Sequence, residues 1–299
     1  MEYQTPDYKT LYPWASSDLL EETSEFTTHA SIVTYRKSEH PKKNCLFGKE
    51  HDKFIKVVPC REDEPVCCDE SSDLEGLCCF IYSTIFRKTP STPPFPSFER
   101  ALLTKIKIAL AQLHPNSWAF VRAFSILCHH FGHLPSVDVF LYFFEAKNPG
   151  RKLWMSLNGV VVRVLMTLFQ QSYKGFKGKF FKIQSNANDP SLLDGIPLYW
   201  TQKHKFKRPR CLEDLPSRER EVCDFLSNLQ AVFSTAKLIK NEYSPMGLKA
   251  YIGIPLPFTP ASTILRVCVC WTFFCFPSHA GSMLDAQKRK NLVVFAKQE

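Results

Sequence analysis

The sequence predicts an α+β fold, mostly helical, with a small helical core followed by a short basic β-rich segment and then by further helices. Three observations carry this. Apolar residues recur at helical spacing behind breaker and capping residues over 97–145 and again over 216–252. Short runs rich in β-branched and aromatic residues fall at 153–164 and 179–183. Positive charge is concentrated between the two helical parts, over 151–210.

The helical elements follow in order. Ser97 is placed to cap a helix carrying Phe98, Leu102, Ile106 and Ala109 on one face. Pro115 cannot continue a helix from upstream, so a new one starts there, with Asn116 or Ser117 as its cap. Trp118, Val121, Phe124 and Cys128 recur along it, and Gly132 is suited to end it. Pro135 and Ser136 open a third helix at Val137. Trp118, Phe124, Phe131, Phe140 and Phe144 are the large packing residues expected in this core. After Pro216, Ser217 is the expected cap of a helix whose stripe is Val222, Phe225, Leu226, Leu229, Val232 and Phe233. Ser244-Pro245 opens a short helix through Tyr251, with Ser as cap and Pro at the first position. A final helix is expected from Ser282.

Strands are expected at Leu153–Leu157 and Lys179–Ile183. Asn158-Gly159 reads as a two-residue hairpin turn into Val160–Val164. Leu165–Ser172 fits strand and helix equally. Upstream, Phe54–Val58 and Phe80–Phe86 have strand-like content, but residues 1–95 as a whole read as an acidic, Cys-containing, loosely ordered region. Thr89–Pro96 holds four prolines and reads as a linker. The organisation expected is therefore 1–95; a domain over 96–252 with parts 97–145, 151–210 and 216–252; an apolar, Cys-rich insert at 253–281; and a helix over 282–299. The insert fits its neighbours badly and reads as translated non-coding sequence.

Composition narrows the function classes. At 44% hydrophobic with 25 Phe, the chain has enough apolar material for a substantial core, which excludes disorder throughout. The longest apolar run, Ile264–Phe276, is too short to span a bilayer and carries Arg266, so no membrane partner is expected. Met1–Asp7 is polar and acidic and does not resemble a secretory signal, so an intracellular setting is expected, nucleus before cytoplasm, with the twelve Cys as thiols. The formal charge is +9, yet residues 151–210 hold twelve Lys/Arg against two Asp. That segment nets +10 and the other 239 residues net −1. Such asymmetry points to a polyanion, RNA or single-stranded DNA; a solvated basic face without a partner is the competing reading.

One block carries more than physics. Leu113-His-Pro-Asn-Ser-Trp-Ala-Phe-Val-Arg-Ala-Phe124, with Cys128-His-His-Phe-Gly132 and Pro135-Ser-Val-Asp-Val-Phe-Leu-Tyr-Phe-Phe-Glu-Ala-Lys147, resembles the gypsy-type transposon domain family, also called the plant transposon protein family. The resemblance extends over roughly 95–250 and is most specific over Leu113–Tyr173; Thr23–Ile32 is similar to longer members. It implies a non-enzymatic protein derived from the Gag side of a long-terminal-repeat retrotransposon. A self-assembly module, a transposase and a decayed fragment are the alternatives.

The residues offer no catalytic set. Walker, Gly-x-Ser-x-Gly and dinucleotide patterns are absent, and so is a Cys-x-x-Cys zinc knuckle. Cys60, Cys67, Cys68, Cys78 and Cys79 lie near His51, but adjacent sulfurs face one ion poorly, and thiols are the expectation. His129 and His133 are four apart without a following Glu, and Gly132 should end the helix between them, so helix-end roles are expected rather than a metal. Asp138, Asp189, Asp194 and Glu242 read as a helix start and turns rather than as a two-metal carboxylate set. No cofactor or metal is expected. The candidate nucleic-acid contacts are Lys174, Lys177, Lys179, Lys182, Lys203, Lys205, Lys207, Arg208 and Arg210, with Tyr173 and Phe176 as stacking faces. Against this, Phe176, Phe180 and Phe181 suit a strand core with the lysines pointing outward. Lys203–Arg210 also resembles a nuclear import signal.

Overall fold

The computed structural model describes residues 7–39, 55–67, 78–88, 95–147, 154–167, 169, 175–185, 193–201, 209–229 and 231–253. The expected insert and the helix from Ser282 lie outside them. The described residues form the α+β architecture expected.

Three helices build the core. α5 (Ser97–Ile106), α6 (Pro115–His130) and α7 (Val137–Phe143) bring Phe98, Phe124, Phe140 and Phe144 together. Phe140 stacks on Phe144 at 4.5 Å and meets Phe124 edge-on at 5.2 Å and Phe98 at 5.8 Å. All five large residues expected in the core are fully buried. α5 is capped by Pro96 rather than Ser97 and stops at Lys107, whose φ of 52° leaves Ala109 beyond the helix.

The α6 cap differs from expectation in an instructive way. Asn116 and Ser117 are already helical, because Pro115 takes the first helical position, where its missing N–H costs nothing. The cap is His114, whose Nδ1 accepts from the Asn116 N–H at 3.1 Å. The Ser117 hydroxyl is used elsewhere, accepting from the Leu157 N–H. Gly132 ends the helix as expected, at φ 74°.

The His114 cap makes a pH prediction. Nδ1 can accept only when unprotonated, and burial lowers the His114 pKa from its ordinary 6.5. Burial lowers His129, His130 and His133 as well. The folded chain thus takes up protons less readily than the unfolded one. The stabilisation is complete above pH 6.5 and is lost as pH falls through the lower folded values. Replacing His114 by Asn, which caps without titrating, is expected to preserve stability near neutrality and to reduce the acid loss. Urea midpoints at about pH 7.5 and about pH 5.5 measure this; an unchanged difference between the two would refute the assignment.

The sheet is assembled from distant pieces. β1 (Ile55–Val58), β2 (Cys78–Tyr82) and β6 (Phe180–Ser185) form one antiparallel sheet in the order β1-β6-β2, with Val57 and Cys79 both opposite Ile183. Residues 1–95 are therefore not uniformly loose. Their described parts supply two of three strands, the helices α1 (Tyr8–Leu11), α2 (Ser17–Leu20) and α3 (His29–Glu39), and buried Tyr12, Leu19 and Val66. The strand expected through Phe86 ends at Tyr82 and turns into α4 (Ser83–Lys88).

The expected Asn158-Gly159 hairpin does not form. Both residues lie within β4 (Ser156–Gly159), paired with Glu145 and Phe144 of β3 (Phe144–Lys147). The partner strand comes from the end of α7, so β4 gains its ladder without a tight turn. Val161–Arg163 is a 3-10 turn with Val161 and Val162 exposed. The ambiguous stretch after Leu165 begins as the short strand β5 (Met166–Thr167), parallel to β7 (Phe233–Ser234). α8 (Ser217–Ser227) is capped by Pro216 and ends before the expected stripe does. Val232 is exposed, and Phe233 is buried from β7 instead. α9 (Thr235–Lys240) packs on α6, and α10 (Pro245–Ile252) starts as expected, with the Ser244 hydroxyl accepting from the Gly247 N–H.

Candidate nucleic-acid interface

The strand-borne lysine is removed from the candidate set. Lys182 lies in the central strand between Val58 and Phe80 and is 5% exposed; its Nζ donates to Glu64 Oε2 at 2.8 Å, and Glu64 is fully buried. The same carboxylate oxygen accepts the Arg61 N–H at 2.9 Å, so it also closes the 61–64 turn. A lysine spent this way cannot reach a phosphate. The pairing joins positions 118 apart in sequence, and no local pattern around Lys182 announces it.

The turn before this strand is covered by acids from the N-terminal region. Lys177 Nζ is 2.8 Å from Glu22 and 5.5 Å from the Trp154 ring centre; Lys179 Nζ is 4.0 Å from Glu25. The Glu25 N–H donates to the Gly178 carbonyl at 2.7 Å, and a Cβ at Gly178 would come within 3.2 Å of the Thr23 carbonyl oxygen. That close approach explains a glycine in this lysine-rich turn. Phe176 is also corrected as a stacking face. Its ring sits half-buried against Tyr82, His114 and Trp154, at 5.1, 5.6 and 6.1 Å. The core reading of Phe176, Phe180 and Phe181 is the one the structure supports.

The denser run, Lys203 to Arg210, is held at its two described ends. Upstream, buried Gln112 donates through Nε2 to the Thr201 carbonyl at 2.6 Å and accepts the Thr201 N–H through Oε1 at 3.1 Å. One side-chain amide thus pairs with a backbone as a neighbouring strand would. Downstream, the Arg210 N–H donates to the Leu141 carbonyl at 2.9 Å and its Nε to Asp138 Oδ1 at 2.9 Å. The Arg210 carbonyl accepts from Arg163 Nη1 at 2.8 Å, and the Arg163 guanidinium lies 4.1 Å from the Tyr142 ring centre. Arg210 is therefore an anchor, not a free contact. Tyr173, Lys174, Lys203, Lys205, Lys207 and Arg208 lie outside the described residues.

Two of the four candidate carboxylates are paired. Asp138 faces Arg210 and Lys105, and Glu242 is ion-paired with Arg122. Asp189 and Cys68 are outside the described residues. Among the described residues, no three His, Cys, Asp or Glu side chains are grouped so as to hold a metal ion. Cys60, Cys67, Cys78 and Cys79 are buried thiols in no disulfide among the described residues, and burial pushes the Cys60 pKa up to about 12, which keeps it neutral. Among the described residues no helix is long and apolar enough to cross a membrane.

The two anchors of the basic run, Gln112 and the Asp138–Leu141 stretch of α7, both belong to the helical core. That core is also the part of the chain that a family model matches. Residues 83–148 match the model of a family described as "putative gypsy type transposon". The matched segment, which runs from α4 to just past β3, is similar to gypsy-type transposon sequences. No curated protein and no solved structure matches the chain.

Proposed function

We propose that this is a non-enzymatic, Gag-side protein derived from a gypsy-type element, and that it binds RNA or single-stranded DNA without sequence preference. The observation that carries the reading is the +10 charge of residues 151–210 against −1 for the remaining 239. Lysines and arginines displace counterions from phosphates, and that gain needs no base-specific contact. The working contacts are Lys203, Lys205, Lys207 and Arg208, with Lys174 and the more exposed Lys179 at the margin. Lys177, Lys182 and Arg210 serve the fold. The helical core supports this reading by pinning the chain on both sides of the run, which reduces the ordering cost when a ligand is bound. Intracellular action is part of the proposal, in the nucleus before the cytoplasm.

Photocrosslinking to a 4-thiouridine-substituted single-stranded RNA, followed by peptide mapping, tests the assignment. Crosslinks are expected in the Lys203–Arg210 peptide. Crosslinks confined to other peptides, or none under conditions where a known binder reacts, would remove the proposal.

A further inference from the structure

The end of the basic run lies beside an exposed apolar turn. The last carbonyls of a helix have no partner within it, and in α7 three consecutive ones hold other parts of the chain. Leu141 accepts the Arg210 N–H at 2.9 Å, Tyr142 accepts Arg163 Nη1 at 3.2 Å, and Phe143 accepts the Val160 N–H at 2.9 Å. The Arg163 N–H closes the turn onto the Val160 carbonyl at 2.9 Å. Its guanidinium also donates to the Arg210 carbonyl at 2.8 Å and lies 4.1 Å from the Tyr142 ring centre. One arginine thus braces the turn against the residue that ends the run. Between these fixed points Val161 is 86% exposed and Val162 84%; among the described residues they are the only adjacent pair of exposed large apolar side chains.

Single exposed apolar residues are ordinary on a protein surface, but a braced pair is an oriented apolar face. The charge of Arg163 is spent on two carbonyls and a ring, so the turn offers no cation of its own to a phosphate. What it offers is aliphatic surface. An unpaired nucleobase has an apolar face, which side chains cover when the base is splayed from its neighbours. Aliphatic side chains serve against bases in this way as wedges. A strand whose phosphates follow the run to Arg210 arrives next to this turn. We propose that Val161 and Val162 pack against unpaired bases of a single-stranded RNA whose phosphates lie on the basic run. The inference rests on nucleic-acid binding by that run and adds to it a contact that reads bases rather than charge.

The test uses the full chain and its Val161→Ser/Val162→Ser variant, each titrated across a salt series with a single-stranded RNA and with inorganic polyphosphate, a polyanion without bases. Apolar contact displaces no counterions, so the variant is expected to bind the RNA about tenfold more weakly at every salt concentration, with the parent's slope. Its affinity for polyphosphate is expected to match the parent's. Crosslinking to the 4-thiouridine-substituted RNA supplies a readout on the unaltered chain, which holds even where the variant folds poorly. The peptide holding Val161 and Val162 is expected to crosslink as well as the Lys203–Arg210 peptide. Unchanged RNA affinity in the variant, an equal loss toward polyphosphate, or crosslinks at the run without any at the turn would each overturn this inference and leave binding by the run standing. Failure of the parent chain to bind RNA at all would remove both.

Discussion

Replacing Arg122 by leucine is expected to destabilise the folded chain by about 3–5 kcal/mol, because it strands two buried carboxylates. Arg122 projects from α6 between Glu99 of α5 and Glu242, which follows α9; Nη2 donates to Glu242 Oε1, and Nη1 lies 3.8 Å from Glu99. Glu99 is fully buried and Glu242 nearly so. Attraction in such a cluster offsets a large desolvation cost only while the cation is present. Burial already pushes the Glu242 pKa upward against the pull of Arg122. Its folded pKa therefore lies above its unfolded one, so its contribution to stability is greatest in acid and is lost as pH rises through the folded value. Glu242→Gln, which keeps a hydrogen-bond acceptor for Arg122 and removes the charge, is accordingly expected to cost far less than Arg122→Leu at neutral pH. Chemical denaturation of the two variants side by side checks this. Equal losses would mean that the carboxylates are solvated and that the cluster does not latch α9 and α10 onto the core.

The second large effect is expected at Phe140. Its replacement by alanine should cost about 3–5 kcal/mol, as for other fully buried Phe truncations. The ring touches Phe98, Phe124 and Phe144, so its loss opens a cavity shared by α5, α6, α7 and β3. It lies one residue before Leu141, whose carbonyl holds Arg210. Phe140→Ala should therefore also raise protease cleavage around Arg210 at temperatures below the global transition. Thermal melting combined with limited trypsin digestion measures both. A variant that melts near the parent would show that the aromatic cluster can repack, contrary to the geometry described.

What could be read from the sequence followed interaction range. α5, α6, α7, α8 and α10 were legible because proline starts and apolar spacing are written within one or two turns, although the cap of α5, α6 and α8 stands one or more positions before the residue expected. The aromatic core was legible for the same reason. The sheet was not, because its central strand β6 pairs with residues 98 to 130 positions earlier in the chain and the N-terminal strands looked like fragments of a loose region. Asn158-Gly159 carried a strong turn signal that tertiary pairing with β3 overrode. The His114 cap was missed because histidine is an unusual cap and the usual candidates stood immediately after it. For the interface, charge density in 151–210 was evident, but not its division of labour. Glu22, Glu25, Glu64 and Asp138 meet Lys177, Lys179, Lys182 and Arg210 only after folding, and no motif around the lysines distinguishes a paired one from an unpaired one.

That division of labour is the core of the account, and salt dependence measures it directly. Binding of a single-stranded RNA is followed across a salt series for the parent chain and for two variants. One carries alanine at Lys203, Lys205, Lys207 and Arg208; the other carries alanine at Lys9, Lys107, Lys240 and Lys249, four cations outside the basic segment. Each phosphate neutralised on a single strand contributes roughly 0.7 to the slope of log affinity against log salt. The first variant should therefore lose about 2–3 from the slope, and the second should keep the parent's slope closely. Equal losses in both variants, or an unchanged slope in the first, would contradict the assignment of nucleic-acid binding to the tethered basic run.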